Sequence, residues 1–232
     1  GTQAPAKKLD LCNAAEYAML RNEALVNAGQ KPYFSDPESL GEGTDWQDAI
    51  FNKNAGIQNH ELSISGGNDK STYYFSLGYL DQEGVVLSSI SNYNRLNVRL
   101  NSSHKVNKWL NFGNNIGYSH IKSQGSLNTN SEYGGPLASA VNLDPTTPIY
   151  MSDEYWLSRR PYTTKPVVMS ADGLYYSVDT IVQQEMTNPL AYEQTVQGNY
   201  GWSDNIVGNI FAEVEPIKGL KIKSDFGAKM SY

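Results

Sequence analysis

The side chains able to do chemistry in this 232-residue chain fall into two groups. The first is aromatic and amide. Residues 122–203 carry Tyr133, Tyr150, Tyr155, Trp156, Tyr162, Tyr175, Tyr176, Tyr192, Tyr200 and Trp202, with Asn128, Asn130 and Asn142 among them. A ring face packs on the apolar CH face of a pyranose while amides hydrogen-bond its hydroxyls, so this stretch suits glycan binding. Trp156 and Trp202 are the leading candidates, being large and flanked by polar residues; Tyr155, Tyr175 and Tyr176 follow. Taken singly, each also suits loop packing or a partner contact. The second group is charged or amide: Arg95, Asn97, Arg99, Lys221, Lys223 and Lys229 recur at every second position of alternating runs.

Catalysis has little to stand on. Asp153, Glu154, Asp172 and Asp179 lie in the polar stretch, but glycoside hydrolysis needs two carboxylates at a set separation, and no such pairing is visible. Asp45 and Asp48 fall where a helix start attracts acids for electrostatic reasons alone. His60, His104 and His120 are scattered without metal-ligand spacing. The single cysteine, Cys12, excludes an intrachain disulfide and a thiolate cluster and reads as a locally packed thiol. Gly41–Gly43 lacks the strand–helix setting of a phosphate loop. The reading is a non-enzyme with no cofactor and no metal.

The elements that must position these residues are mostly strands. From Tyr73, odd positions are Tyr73, Phe75, Leu77 and Tyr79. Then Leu96, Val98 and Leu100 alternate with Arg95, Asn97, Arg99 and Asn101. A period of two sends alternate side chains to opposite faces, so one face wants an apolar medium and the other wants water. Strands are expected at about 60–65, 71–81, 93–103, 110–121, 205–214 and 220–231. Asn13 with Glu16 forms a capping box that opens one helix over 13–28, with Tyr17, Leu20, Ala24 and Leu25 as its inner face. Within 122–203, PVVMSADGLYYSV at 166–178 reads as a hairpin turned at Asp172-Gly173.

Connections alternate in length. Gly66–Lys70, Val106–Trp109 and Pro216–Gly219 are tight; 83–92 is longer and 122–203 very long. In an antiparallel meander the tight turns then share one end and the long loops the other, which is the asymmetry of outer-membrane barrels. Hydrophobic residues make up 39% and mean hydropathy is −0.50. No apolar run reaches the roughly 18 residues of a spanning helix, whereas a barrel strand needs about 10 alternating ones. Tyr73, Tyr79, Tyr93, Trp109 and Tyr118 fall near strand ends, where interfacial aromatic girdles sit. The net charge of −6, with no basic block, argues against nucleic acid. The division expected is an extracellular-type loop at 1–57, four barrel strands at 58–121, an extracellular-type loop at 122–203 and two strands at 204–232. A soluble carbohydrate-binding β-sandwich is the rival; there the apolar faces at 73–79 and 96–100 would pack on a second sheet.

TDWQD at 44–48, SISGGNDKSTYY at 63–74, GYLDQEG at 78–84 and the R-x-N-x-R-x-N run ending at Asn101 resemble the SusC/RagA family of TonB-dependent outer-membrane transporters. The NAAEYAMLRNEA helix and Tyr33-Phe34 resemble the family's first outer loop, and 204–232 matches more loosely. The resemblance implies an all-β antiparallel meander within a barrel of about 22 strands, longer than this chain. It implies an internal piece without plug or TonB-contacting segment. It further implies nutrient import, of a glycan oligosaccharide or a peptide, across a Bacteroidetes-type Gram-negative outer membrane. The implied partners are a SusD-like lipoprotein, the TonB complex through parts absent here, and outer-membrane lipid. Arg95, Asn97, Arg99, Lys221 and Lys223 would face the lumen.

Overall fold

A computed structural model describes residues 1–125, 135–179, 181 and 186–232. Its frame is one twisted antiparallel sheet. The long strands are β2 (Ala55–Gly67), β3 (Ser71–Glu83), β4 (Asn92–Lys105), β5 (Leu110–Gln124), β8 (Gly201–Ile217) and β9 (Leu220–Ser231), in chain order, with the short β1 (Thr2–Gln3) on the edge of β2. Two residues each of β6 (Tyr150–Met151) and β7 (Tyr175–Tyr176) form a separate ladder. No helix among the described residues is long and apolar enough to cross a membrane.

The register joins the alternating runs into two continuous faces. Leu62 faces Leu77, which faces Val98, then Tyr118, Ile206 and Met230. One row on, Ile64, Phe75, Leu100 and Ile116 line up in the same way. This apolar face lies open: Leu62 is 58% exposed, Ile210 59% and Phe226 70%. A sandwich needs a second sheet over this face, and the only other ladder among the described residues is β6–β7. The exposed band is therefore the outer wall of a barrel.

At the row of Tyr79 and Leu96 the same face carries His120 and Asp204 on the next two strands. At the opposite end, Val214 and Ile222 extend it toward the turn. The apolar zone thus steps across the register, as strands tilted to a membrane require. The strands are 12–17 residues long in this sheet, beyond the about 10 that a bilayer needs. On β3, β4 and β5 the surplus lies at the long-connection end, where Asp81, Asn94 and Lys122 turn the outer face polar.

That end carries a packed lobe built from three distant parts of the chain. Helices α1 (Ala14–Asn27) and α2 (Trp46–Ile50) come from the first segment; α3 (Pro136–Asn142), α4 (Glu154–Leu157) and α5 (Pro189–Val196) come from the long connection. To the expected helix the described residues add four short ones, the first of them, α2, opening at the Asp45 helix start already legible in the sequence. The four added helices are short, and no sustained 3.6-residue stripe advertises them in the sequence; they are held by packing around one core. That core is Trp46, Ile50, Ala140 and Leu143 with Leu87 and Ile90 of the β3–β4 connection. The Trp46 indole N–H donates to the Asp144 carbonyl at 3.1 Å in the buried interior.

The capping box of α1 is present: Asn13 Oδ1 accepts from Glu16 N at 2.9 Å, and Glu16 Oε2 from Asn13 N at 3.0 Å. Its inner face, however, is Ala14 and Ala18, with Leu20 left 56% exposed. Small side chains are needed there because residues 41–42 cross close by, hydrogen-bonding the N–H groups of Ala14 and Ala15 at 3.0 Å. Gly43, at φ +68°, completes the crossing; a Cβ there would collide with the Pro145 carbonyl and Ala14.

Two expected outcomes follow. Leu77→Arg places a charge on the open apolar face and should cost about 2–4 kcal/mol of folding stability in lipid, while Asn97→Arg on the opposite face should be tolerated. Folding titrations of the full-length protein into vesicles measure both. Trp46→Ala empties the lobe core and should destabilise the lobe by about 3–5 kcal/mol, read as faster proteolysis within 135–200 with the strands still protected.

Candidate functional site

Two surfaces collect the chemistry-bearing residues. One is the polar face of the sheet. Arg95, Asn97 and Arg99 of β4 share it with Lys221, Lys223 and Lys229 of β9, as the register dictates. Lys221 bonds Glu213 at 3.0 Å and Lys223 bonds Asp225 at 3.3 Å. Asn115 donates to Asn209 at 3.0 Å, and Asn209 to Asp225 at 3.2 Å. Arg95, Arg99 and Lys229 take no ion pair among the described residues. Tyr93, expected in a girdle, falls on this polar face opposite Gln82 and Ser123 because its position is odd on β4. Tyr73, Tyr79 and Tyr118 lie on the apolar one.

The other surface is the lobe. Asp153 caps α4, accepting from Tyr155 N at 2.8 Å, so this carboxylate is structural. Tyr155 is 55% exposed, and its ring meets Trp156 edge-on with centroids 5.1 Å apart. The Arg159 guanidinium stacks on the Tyr155 ring, 3.4 Å from its centroid. Tyr175 meets Tyr162 edge-on at 5.9 Å. Tyr176 is 5% exposed and packs on Tyr150 at 4.9 Å. Burial, and then the hydrogen bond with Tyr150, push the Tyr176 phenol up to about 12. Tyr176 is therefore a packing residue.

Trp202 stands apart from these. It opens β8 opposite Lys122, whose ammonium lies 4.0 Å over the Tyr200 ring. With Tyr93 and Tyr200 it lines an open cleft of about 1060 Å³ at the long-connection end of the sheet. Trp156 does not line that cleft, so the two tryptophans do not form one platform. Asn128, Asn130 and Tyr133 lie outside the described residues.

Asp45 and Asp48 are not a catalytic pair. Asp45 caps α2, accepting from Asp48 N at 3.0 Å, and both carboxylates bond the Lys8 ammonium. Those bonds, with one from Lys53, hold the Asp48 carboxyl below its usual range. No group of three potential metal ligands forms among the described residues.

Sequence reasoning missed the residues that hold the lobe. Asp144 Oδ1 accepts from the N–H groups of Thr146 and Thr147 at 2.8 and 3.0 Å. Asn188 Nδ2 donates to the carbonyls of Ile149 and Ser177 at 3.0 and 3.3 Å, while its Oδ1 caps α5. The Asp144-Pro145 and Asn188-Pro189 dipeptides were the available signal, since both mark turn or helix starts.

No family model matches the chain. It is 28% identical over 220 residues to TonB-dependent receptor P26 of Formosa agariphila, covering 93% of this chain and 19% of that one. It is 29% identical over 213 residues to TonB-dependent receptor SusC of Bacteroides thetaiotaomicron, covering 88% and 19%. Receptor P39 of Formosa agariphila is 33% identical over 163 residues, 67% of this chain and 15% of that one. The chain thus spans about a fifth of the length of these relatives. In fold it superposes on the RagAB peptide importer in its closed-closed state with a TM-score of 0.69 at 19% identity, covering 99% of this chain and 27% of that one. These proteins are TonB-dependent receptors and a peptide importer. Sequence and fold together place the chain with the SusC/RagA family of TonB-linked outer-membrane transporters.

Proposed function

We propose that this chain is a stretch of wall, with its outer lobe, from an importer that brings nutrients across a Bacteroidetes-type outer membrane. The open apolar band carries this reading, because only lipid on one side and water on the other satisfies both faces at once. The edge strand β9 has no further partner among the described residues. Hydrocarbon does not tolerate an open edge, so more strands must flank it and close a larger barrel. The tight turns would face the periplasm. The lobe would face outward as the docking ground for a SusD-like lipoprotein, with energy arriving through TonB-contacting parts of the parent protein.

For the cargo, the exposed Tyr155 ring with the half-buried Trp156 and Tyr175 favours a glycan oligosaccharide. Peptide cargo is the second reading, favoured by the likeness to a peptide importer and by the cations and amides of the polar face. In the full-length transporter, Trp156→Ala with Tyr155→Ala should weaken oligosaccharide binding by about tenfold, since ring contacts of this kind contribute about 0.5–1.5 kcal/mol beyond their area. Trp202→Ala, made separately, tests the cleft. Titration calorimetry with unchanged affinity in both variants would sink the glycan assignment.

The lobe also has an alkaline limit. The Tyr176 phenol is held neutral, pushed up to about 12 by burial from the ordinary tyrosine value of about 10. Its contribution to lobe stability is complete below the lower value and is lost as pH rises toward the upper one. A tyrosinate absorbance titration should find Tyr176 ionising late, together with loss of lobe protease resistance. Tyr176→Phe should remove that step.

A further inference from the structure

The outer face of the sheet changes character toward its long-connection end. Tyr79, Leu96, His120 and Asp204 form one row across β3, β4, β5 and β8, and Asp81, Asn94, Lys122 and Trp202 form the next. Both rows continue the face of Leu77, Val98, Tyr118 and Ile206. At about 3.3 Å per residue, Lys122 and Trp202 stand about 13 Å along their strands from Tyr118 and Ile206. Strands tilted by about 40° turn that into about 10 Å of height, which takes the second row out of hydrocarbon and into the headgroup layer.

The acids of these rows are engaged within the sheet, while no carboxylate holds the lysine. Asp81 accepts from the Asn94 amide. Asp204 Oδ1 accepts from the Tyr118 hydroxyl at 2.6 Å, and His120 Nδ1 lies 2.8 Å from the same oxygen. Lys122 is exposed and takes no ion pair among the described residues. Its ammonium lies over the Tyr200 ring. Trp202 is 60% exposed and Tyr200 55%. By register Trp202 shares the outer face with Lys122, whereas Tyr93 belongs to the polar face. A cation beside two exposed rings, directly above an apolar wall, matches three parts of one molecule. The ammonium suits a phosphate, the rings suit the CH face of a sugar, and the wall suits acyl chains. A phospholipid answers the cation and the wall but leaves the rings without a sugar.

We propose that the outer face at Lys122, Tyr200 and Trp202 binds the phosphorylated saccharide headgroup of an outer-leaflet glycolipid, whose acyl chains lie on the apolar band below. The proposal rests on the wall reading, with the lobe outward, and adds to it a lipid of stated chemistry. Lys122 gives the phosphate a charge-assisted hydrogen bond, and the Trp202 and Tyr200 rings pack on the sugar. On the same face, Tyr118 and His120 offset the Asp204 carboxylate, which alone would repel a phosphate. The site lies on the lipid side of the wall, so it holds the barrel at depth and takes no part in the passage of cargo.

The test uses the full-length transporter, stripped of lipid in detergent, and native mass spectrometry with two probes. One is an acylated, bisphosphorylated glucosamine disaccharide; the other is phosphatidylglycerol. The wild type should retain the disaccharide lipid about tenfold more tightly, as expected for a charge-assisted bond with ring contacts, and removal of its phosphates should erase most of that difference. Lys122→Gln with Trp202→Ala should lower its retention about tenfold and leave phosphatidylglycerol unchanged. Lys122→Gln alone should give part of that loss, and Lys122→Arg should keep the wild-type value. Lys7→Gln removes the same charge from the exposed first segment and should change nothing. Heat-modifiable mobility on gels reports the folding of each variant. Equal retention of the two lipids by the wild type overturns the proposal, as does undiminished retention in the folded Lys122 variants or an equal loss in Lys7→Gln. Displacement of the glycolipid by a soluble neutral oligosaccharide overturns it too, because the rings would then serve cargo. If the full-length protein inserts into vesicles of neither lipid, the wall reading itself has failed, a result distinct from loss of the lipid preference.

Discussion

Every backbone N–H and C=O that crosses hydrocarbon must be taken by a neighbouring strand, because lipid offers no hydrogen bonds. The six long strands meet this condition with antiparallel pairing almost throughout, disturbed only by a register shift between Val214 and Ile217 at the β8–β9 turn. The pairing does more than satisfy the backbone. It fixes register, and register decides that Leu62, Leu77, Val98, Tyr118, Ile206 and Met230 come out on one side. A slip of one residue would turn Arg95 and Arg99 toward lipid and Leu96 and Val98 toward water. The two-sided character of the wall is thus a consequence of hydrogen bonding, enforced by the cost of a charge in lipid.

The lobe answers a different problem. Loops that leave a sheet at one end have polar backbone to satisfy and little apolar material to bury. Here the first segment, the β3–β4 connection and the long β5–β8 connection share one small core around Trp46, Ile50, Leu87 and Ile90. Buried polar groups fasten it. Asp144 serves its own turn and, through its carbonyl, Trp46; Asn188 ties two carbonyls to the start of α5. The aromatic side chains then divide: Tyr176 is spent on packing, and Tyr155 stays at the surface with Arg159 on its ring.

The wall and the lobe offer different chemistry to a passing molecule. The lobe presents the exposed Tyr155 ring with the Arg159 guanidinium stacked on it. The polar face presents amides together with cations, of which Lys221 and Lys223 are paired to Glu213 and Asp225.

Much of the wall was legible in the sequence by itself. The alternation from Tyr73 to Tyr79 and from Leu96 to Asn101 settled strand type and faces, and the tight sequences at Gly66–Lys70 and Val106–Trp109 settled which ends carry turns. These are local properties with a period of two, so a short window contains them. The candidate aromatics were visible as a composition, but their roles were not: nothing local distinguishes a buried Tyr176 from an exposed Tyr155, or sets Trp202 apart from Trp156. The helix face at Ala14 and Ala18 and the packing of the short helices around Trp46 depend on contacts between residues far apart in the chain. Tertiary structure decided those, because burial and charge pairing are set by what comes to lie alongside, which no periodicity records.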